Sequence, residues 1–324
     1  MRPHNLRSHS MICFAILLAI LFITVPIPAK EVRSQVANSD FEWNAQNFAG
    51  FYYDIDKDLG TERIATTIYE TNKLEEPNGV IYTTSAQAND FSFEDWGYYN
   101  VIGFLGKKYF AGYVESENAD YSSEILLRES TDENSLSDEQ LQTILMDSDT
   151  ETIVTADAPL KLAEDYVLAI KYIDNNGMLL ELTKNGAAVD SKVMMPSKDG
   201  ATMADKTYFY KKDEGEQRGL VIIAVHFKNA VIIENRTVAT VDGLWQISEA
   251  ATQVKVDTAY GKLRIASVSA DTITMDNKDN SITLSKNKDT QLVSDIRIKT
   301  ANQDYIDDAN PLRYYIYMDD KCES

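Results

Sequence analysis

Apolar side chains recur at every second position along most of this chain, and that alternation restricts it to strands with unlike faces. Tyr166, Leu168, Ile170 and Tyr172 share one face, and Asn175-Asn176-Gly177 then turns the chain into Met178, Leu180 and Leu182. Asn185-Gly186 follows. Asn and Gly tolerate the positive φ angles of tight turns whose twist matches paired strands, so 178–184 and 187–195 are expected to form a hairpin. Residues 220–227 and 230–235 read as strands from a sheet interior, and Leu263, Ile265, Ile273, Met275, Ile282 and Leu284 mark short strands between polar turns such as 276–280.

One segment departs from this period. Ser137-Asp138-Glu139-Gln140 has the spacing of a capping box, and Leu141, Ile144 and Leu145 follow on one helical face, so a short helix is expected there. It lies in the acidic stretch 129–151, which makes that stretch a natural connector. The expected fold is all-β: two linked β-sandwich domains with one short connecting helix. Residues 40–150 would form the first domain with the helix, 151–318 the second and 319–324 a tail. An inserted domain, with the first sandwich regaining strands from the C-terminal part, fits the same pattern. No short-period repeat is visible, which disfavours a solenoid or a propeller.

The N-terminus has the parts of an export leader. Arg2 and Arg7 precede the apolar run 11–25, and small Ala29 follows Pro26 and Pro28. The run is shorter than the ~20 residues that cross a bilayer, so residues 1–29 read as a signal peptide; an uncleaved N-terminal tether is the other reading of the same run. The chain ends at Ser324 without an apolar C-terminal helix, so no C-terminal membrane anchor is expected. Removing the leader takes two arginines and no acids, which moves the net charge from −20 to −22. So acidic a chain is a poor partner for nucleic acid, whose backbone is bound by Lys and Arg clusters, and for anionic lipid.

Loss of the leader also removes His4, His9 and Cys13, leaving His226 and Cys322. Cys322 has no partner within the chain, so it is a tail thiol or a point of cross-linking or modification, and the fold must hold without disulfides. A serine or cysteine nucleophile commonly relies on a histidine base. His226 lies among the apolar residues of 221–228, where a structural role is expected. One His and one terminal Cys do not make a zinc site. There is no phosphate-cradling glycine loop and no dinucleotide fingerprint.

Carboxylates are the remaining candidates. Asp54, Asp56 and Asp58 alternate in a way that resembles a calcium loop and could offer three oxygen ligands to calcium, but Leu59 stands where an EF-hand needs Gly and Ala65 where it needs Glu. The alternative is a solvated acidic turn after 51–53. A glycosidase pair can be drawn almost anywhere among so many acids, which removes the specificity of that signal. Asn235-Arg236-Thr237 is a glycan acceptor motif in an exported chain.

Four blocks together resemble one family. They are Trp43 to Asp56 (WNAQNFAGFYYDID), Trp96 to Tyr113 (WGYYNVIGFLGKKYFAGY), Asp242 to Ser248 (DGLWQIS) and Leu312 to Tyr315 (LRYY). In that order they resemble the S-layer duplication domain of methanogenic archaea of the Methanosarcina type, from about residue 40 to 318. The resemblance implies two linked β-sandwiches that tile the cell surface without catalysis, in a porous acidic sheet favouring cations. It implies core and interface roles for Trp43, Tyr52, Trp96, Tyr98, Tyr109, Tyr113 and Trp245. Tandem proteins of that family carry two copies, an acidic stalk and a C-terminal membrane helix, whereas this chain resembles one copy. The expectation is a noncatalytic structural component of, or accessory to, an archaeal S-layer lattice, with other S-layer subunits or itself as partners. A secreted cell-surface module that binds wall glycan or another envelope protein is the alternative.

Overall fold

Alternation along 160–194 produces a four-stranded antiparallel sheet in the order Leu160–Lys161, Tyr166–Asp174, Gly177–Lys184, Ala187–Met194. The computed structural model describes residues 35–37, 39–68, 72–114, 134–174, 177–214, 217–234, 236–307 and 309–318. The leader 1–29, Asn235 and Cys322 lie outside these residues. Lys184 pairs with Ala187 across Asn185 (φ 49°) and Gly186 (φ 79°), the two positive φ angles that the hairpin needs. Tyr166, Leu168, Ile170, Met178, Leu180, Leu182 and Met194 are buried on one face of this sheet.

That face packs on a larger, eight-stranded sheet. Its path runs Thr207–Glu214, Gln217–Ile233, Arg236–Gln253, Gln140–Ser148, Lys107–Tyr113, Tyr98–Phe104, Gln87–Asp90, and Thr152–Thr155 pairs with the far part of Arg236–Gln253. The two segments expected as 220–227 and 230–235 join in one strand of 17 residues, Gln217–Ile233. Its register shifts around His226, Phe227 and Asn229, so the polar interruption at Lys228 and Asn229 is absorbed by an irregular ladder rather than by a turn.

The short helix expected after Ser137 is not formed. Asn134 and Ser137 close a local turn: the Asn134 amide donates to Ser137 Oγ and the Ser137 amide donates to Asn134 Oδ1. Glu139 then takes a positive φ of 59°, and Gln140–Ser148 is a strand. Pairing with Arg236–Gln253 buries Gln140, Leu141 and Gln142, and these non-local bonds outweigh a local capping signal. Two short helical turns exist among the described residues, Glu94–Trp96 and Met203–Lys206, and the second carries a Thr202–Asp205 capping box.

A six-stranded sheet (Ala259–Tyr260, Leu263–Val268, Thr272–Asp276, Val80–Ser85, Glu62–Thr66, Phe41–Asn44) and a four-stranded sheet (Gln35–Val36, Arg313–Met318, Ile296–Thr300, Asp289–Val293) complete the main architecture. Two hydrophobic cores result. The first lies between the eight-stranded sheet and the 160–194 sheet. The second gathers Trp43, Ile64, Tyr82, Ile265, Met275, Ile298 and Tyr314 from the other two sheets. Strand Tyr98–Phe104 serves both: Tyr99 and Val101 enter the first core, Ile102 and Phe104 the second. Alternation within one strand thus couples the cores. On its neighbour, Tyr99 pairs with Tyr113 and Val101 with Phe110, one residue more being accommodated at the bulge between them. That bulge lets Phe110 and Tyr113 face the same core while Ala111 faces the other.

Candidate functional site

The four family-like blocks meet in pairs inside the protein. The first and fourth meet in the second core, where Trp43 lies edge-on to Tyr314 with ring centroids 5.8 Å apart. The Tyr314 hydroxyl lies 2.8 Å from Thr66 Oγ1. The second and third meet in the first core. Trp245 is fully buried, and Tyr99, Phe110, Phe91 and Tyr113 surround its ring with centroids 4.6 to 6.4 Å away. Its Nε1 donates to Tyr113 Oη at 2.9 Å, and that hydroxyl donates to the Val221 carbonyl. Tyr52, Trp96 and Tyr109 are half-buried against these cores. Tyr98 is 48% exposed and is the one matched aromatic that faces solvent.

Two carboxylates, buried Glu62 and half-buried Glu249, are committed to the fold. Glu62 accepts from the amides of Tyr52 (2.8 Å) and Gly106 (2.9 Å) and from the Tyr82 hydroxyl (2.9 Å). Burial raises its pKa, against the lowering effect of those donors. It fastens the 50–53 and 105–106 backbone to the centre of the six-stranded sheet. Glu249 accepts from the Tyr166 hydroxyl and from Lys184 and Lys212. Burial would raise its pKa, but these donors outweigh it and bring the carboxyl down to about 2.

The predicted calcium ligands occupy a tight turn. Asp54 pairs with Leu59 through reciprocal backbone hydrogen bonds of 2.9 and 3.0 Å. Asp54 Oδ1 accepts from the amides of Asp56 and Lys57, and Asp58 Oδ1 accepts from the Tyr53 hydroxyl and from Gln46. Among the described residues no group of three or more His, Cys, Asp or Glu side chains is arranged to hold a metal ion.

His226 is 6% exposed. Its Nδ1 lies 2.5 Å from Asp242 Oδ1, and its ring stacks on Phe93 at 4.4 Å. Gly243 makes room for this stack, since a Cβ there would lie 2.8 Å from Phe93 Cγ. The imidazole is therefore held between a carboxylate and an aromatic ring, a packing role. No described helix is long and apolar enough to cross a membrane.

An open cleft of about 250 Å³ lies at one end of the first core, lined by Ile173, Asp174, Gly177, Met178, Met194 to Lys198 and Ala230. Its lining combines methionine, isoleucine, proline and alanine with Ser197, Lys198 and one carboxylate, Asp174. A sugar platform of tyrosine or tryptophan and a pair of facing acids are not what this lining offers. Val231, Ile232 and Ile233, expected in a sheet interior, are 42 to 57% exposed because the long strand runs on past the core. Sequence reading missed this exposure, together with that of Ile153 (67%) and Tyr305 (81%). Apolar identity does not say whether anything covers the residue.

The described structure is thus a β framework in which Glu62, Glu249 and His226 are tied to the fold and several apolar side chains lie at the surface. This belongs to a class of protein seen elsewhere. A family model described as S-layer protein matches residues 32–302, and the chain belongs to that family. It is 26% identical over 297 residues to the major S-layer protein of Methanosarcina mazei, covering 89% of this chain and 40% of that protein. It is 28% identical over 293 residues to the major S-layer protein of Methanosarcina barkeri (88% and 39%). The match to that of Methanosarcina acetivorans is also 28% identical, over 300 residues (89% and 40%). The chain spans about two fifths of the length of these relatives.

Proposed function

We propose that this protein is a noncatalytic structural component of, or accessory to, an archaeal cell-surface S-layer lattice. The observation that carries the reading is the family match over residues 32–302, and the pairwise burial of the four blocks on which the resemblance rests supports it. Export by the leader would deliver the chain to the surface, where its acidic balance would favour cations in any pore that it lines. The two cores are read as two structural units in the inserted arrangement, the second core regaining strands from the C-terminal part of the chain. Partners are other S-layer subunits or further copies of this chain. Electron microscopy of the purified mature protein, alone and mixed with cell envelopes, tests the reading. A two-dimensional array, or incorporation into one, is expected. A soluble monomer that joins no array would overturn it.

A further inference from the structure

We propose that Ser197 guards an open sheet edge: its side chain occupies the free edge of strand Gln217–Ile233 and holds it shut against pairing with the same edge of a second copy of this chain. The proposal is independent of the S-layer reading, since it concerns a contact that the fold prevents.

The edge is open because the strand outruns its neighbour. Thr207–Glu214 pairs with it only as far as Thr207 opposite His226, while on the other side Arg236–Gln253 follows it to the closing pair Ile233 and Arg236. Among the described residues no strand pairs with 227–233 on the Thr207–Glu214 side. Val231, Ile232 and Ile233 are exposed there. The run 229–233 carries neither proline nor charge, two of the devices that stop one edge from templating another.

Ser197 supplies what the missing strand would. Its Oγ accepts from the Ala230 amide at 2.8 Å and donates to the Ala230 carbonyl at 2.7 Å. One hydroxyl, being both donor and acceptor, thus satisfies both backbone groups that Ala230 turns outward. Its own segment holds it in place. The Met195 amide donates to the Asp205 carbonyl at 3.0 Å, the Lys198 amide to the Met195 carbonyl at 3.2 Å and the Ala201 amide to the Lys198 carbonyl at 3.0 Å. Asp205 in turn belongs to the helical turn that the Thr202 capping box fixes. Residues 195–201 are therefore a strap pinned at both ends, with Ser197 laid on the edge.

The backbone itself identifies the partner. Along an antiparallel strand, residues whose N–H and C=O point to one side alternate with residues whose groups point to the other. Ala230 points to the open side, so Ile232 does as well, and no described residue bonds to the Ile232 backbone there. A second copy turned antiparallel about Val231 sets Ala230 of each copy opposite Ile232 of the other, each such pair exchanging two backbone hydrogen bonds. Val231 then faces Val231 of the second copy. An identical edge fits once Ser197 withdraws, because the contact is isologous and its outward groups match by parity.

The test uses the purified mature protein in dilute solution, with Cys322→Ser throughout. Val231→Cys places a thiol where the pairing brings two copies within disulfide reach, since facing residues of a non-hydrogen-bonded pair lie about 4.5 Å apart. Ile233→Cys, which faces Asn229 of the second copy in this register, is the control. Under mild oxidation, Val231→Cys with Ser197→Ala is expected to give disulfide dimers in several-fold excess over Val231→Cys that keeps Ser197, and over Ile233→Cys with Ser197→Ala. A yield that does not depend on Ser197, one that Ile233→Cys matches, or no dimer at all would overturn the proposal. Hydrogen exchange of the unsubstituted protein tests the guard without any variant. The Ala230 amide is expected to exchange about tenfold or more slowly than the Ile232 amide, and equal rates would overturn it as well. Formation or absence of an array bears on the S-layer reading alone.

Discussion

Trp245 Nε1 donates to Tyr113 Oη at 2.9 Å across 132 residues of chain, joining the longest strand of the first core, Arg236–Gln253, to the hairpin that both cores share. Both side chains are buried. The bond therefore has no water to fall back on, and its loss leaves a buried donor unpaired.

Tyr113→Phe should destabilise the protein by about 1–3 kcal/mol, the cost of orphaning the Trp245 indole N–H. Guanidinium unfolding of Tyr113→Phe, Trp245→Phe and the double variant measures it. The double variant should be more stable than the sum of the two single losses predicts, because only the single Tyr variant strands a donor. Strict additivity would show that the bond contributes nothing.

Glu62 has a folded pKa above its ordinary value, so the unfolded chain releases this proton first as pH rises. Its stabilising contribution is complete below the unfolded value of about 4.5 and declines as pH rises through the folded value. Urea unfolding at pH 4 and pH 7 should show the parent losing stability relative to Glu62→Gln at the higher pH. The same difference at both pH values would contradict this assignment.

Glu249 behaves in the opposite sense. Its folded pKa of about 2 lies below the ordinary 4.5, so its contribution is present above the unfolded pKa and is lost as pH falls from there towards 2. Glu249→Gln should flatten the acid limb of the stability profile in that interval, as read by thermal unfolding at a series of pH values. A limb as steep as that of the parent would remove Glu249 from the account.

Gly243→Ala should cost about 1–3 kcal/mol, in the range for overfilling a packed site. The added Cβ would sit 2.8 Å from Phe93 Cγ and 3.0 Å from His226 Cβ. Phe93→Ala in the same chain should recover part of the loss, since it removes the ring that the methyl displaces. Calorimetry of the two single variants and the double variant tests this, and an unaffected Gly243→Ala would mean that the loop at Phe93 moves freely.

Local signals were legible where local bonds decide. The hairpin around Asn185-Gly186 was readable because two adjacent positive φ angles and alternating apolar residues specify it within twenty residues. The Ser137 capping signal was equally clear and gave the wrong element, because strand pairing with Arg236–Gln253 lies about a hundred residues away. Residues 230–233 showed the same limit from the other side: their strand was readable, the exposure of 231–233 was not. Of the candidate site residues, Asp54 and Asp58 accept local hydrogen bonds in and beside their turn, and the cleft at Met195 had no sequence signal, since it is made by three separated segments.

Residue order was enough to show that the chain is built of strands, where tight turns such as Asn185-Gly186 fall, that it is strongly acidic, and which family it resembles. Tertiary structure alone decided which face of each strand meets which core, and which apolar residues stay outside. The reason is physical. A period of two states that the faces of a strand differ, but what covers each face is set by partners far away in the chain, as Val101 and Ile102 show by entering different cores from adjacent positions.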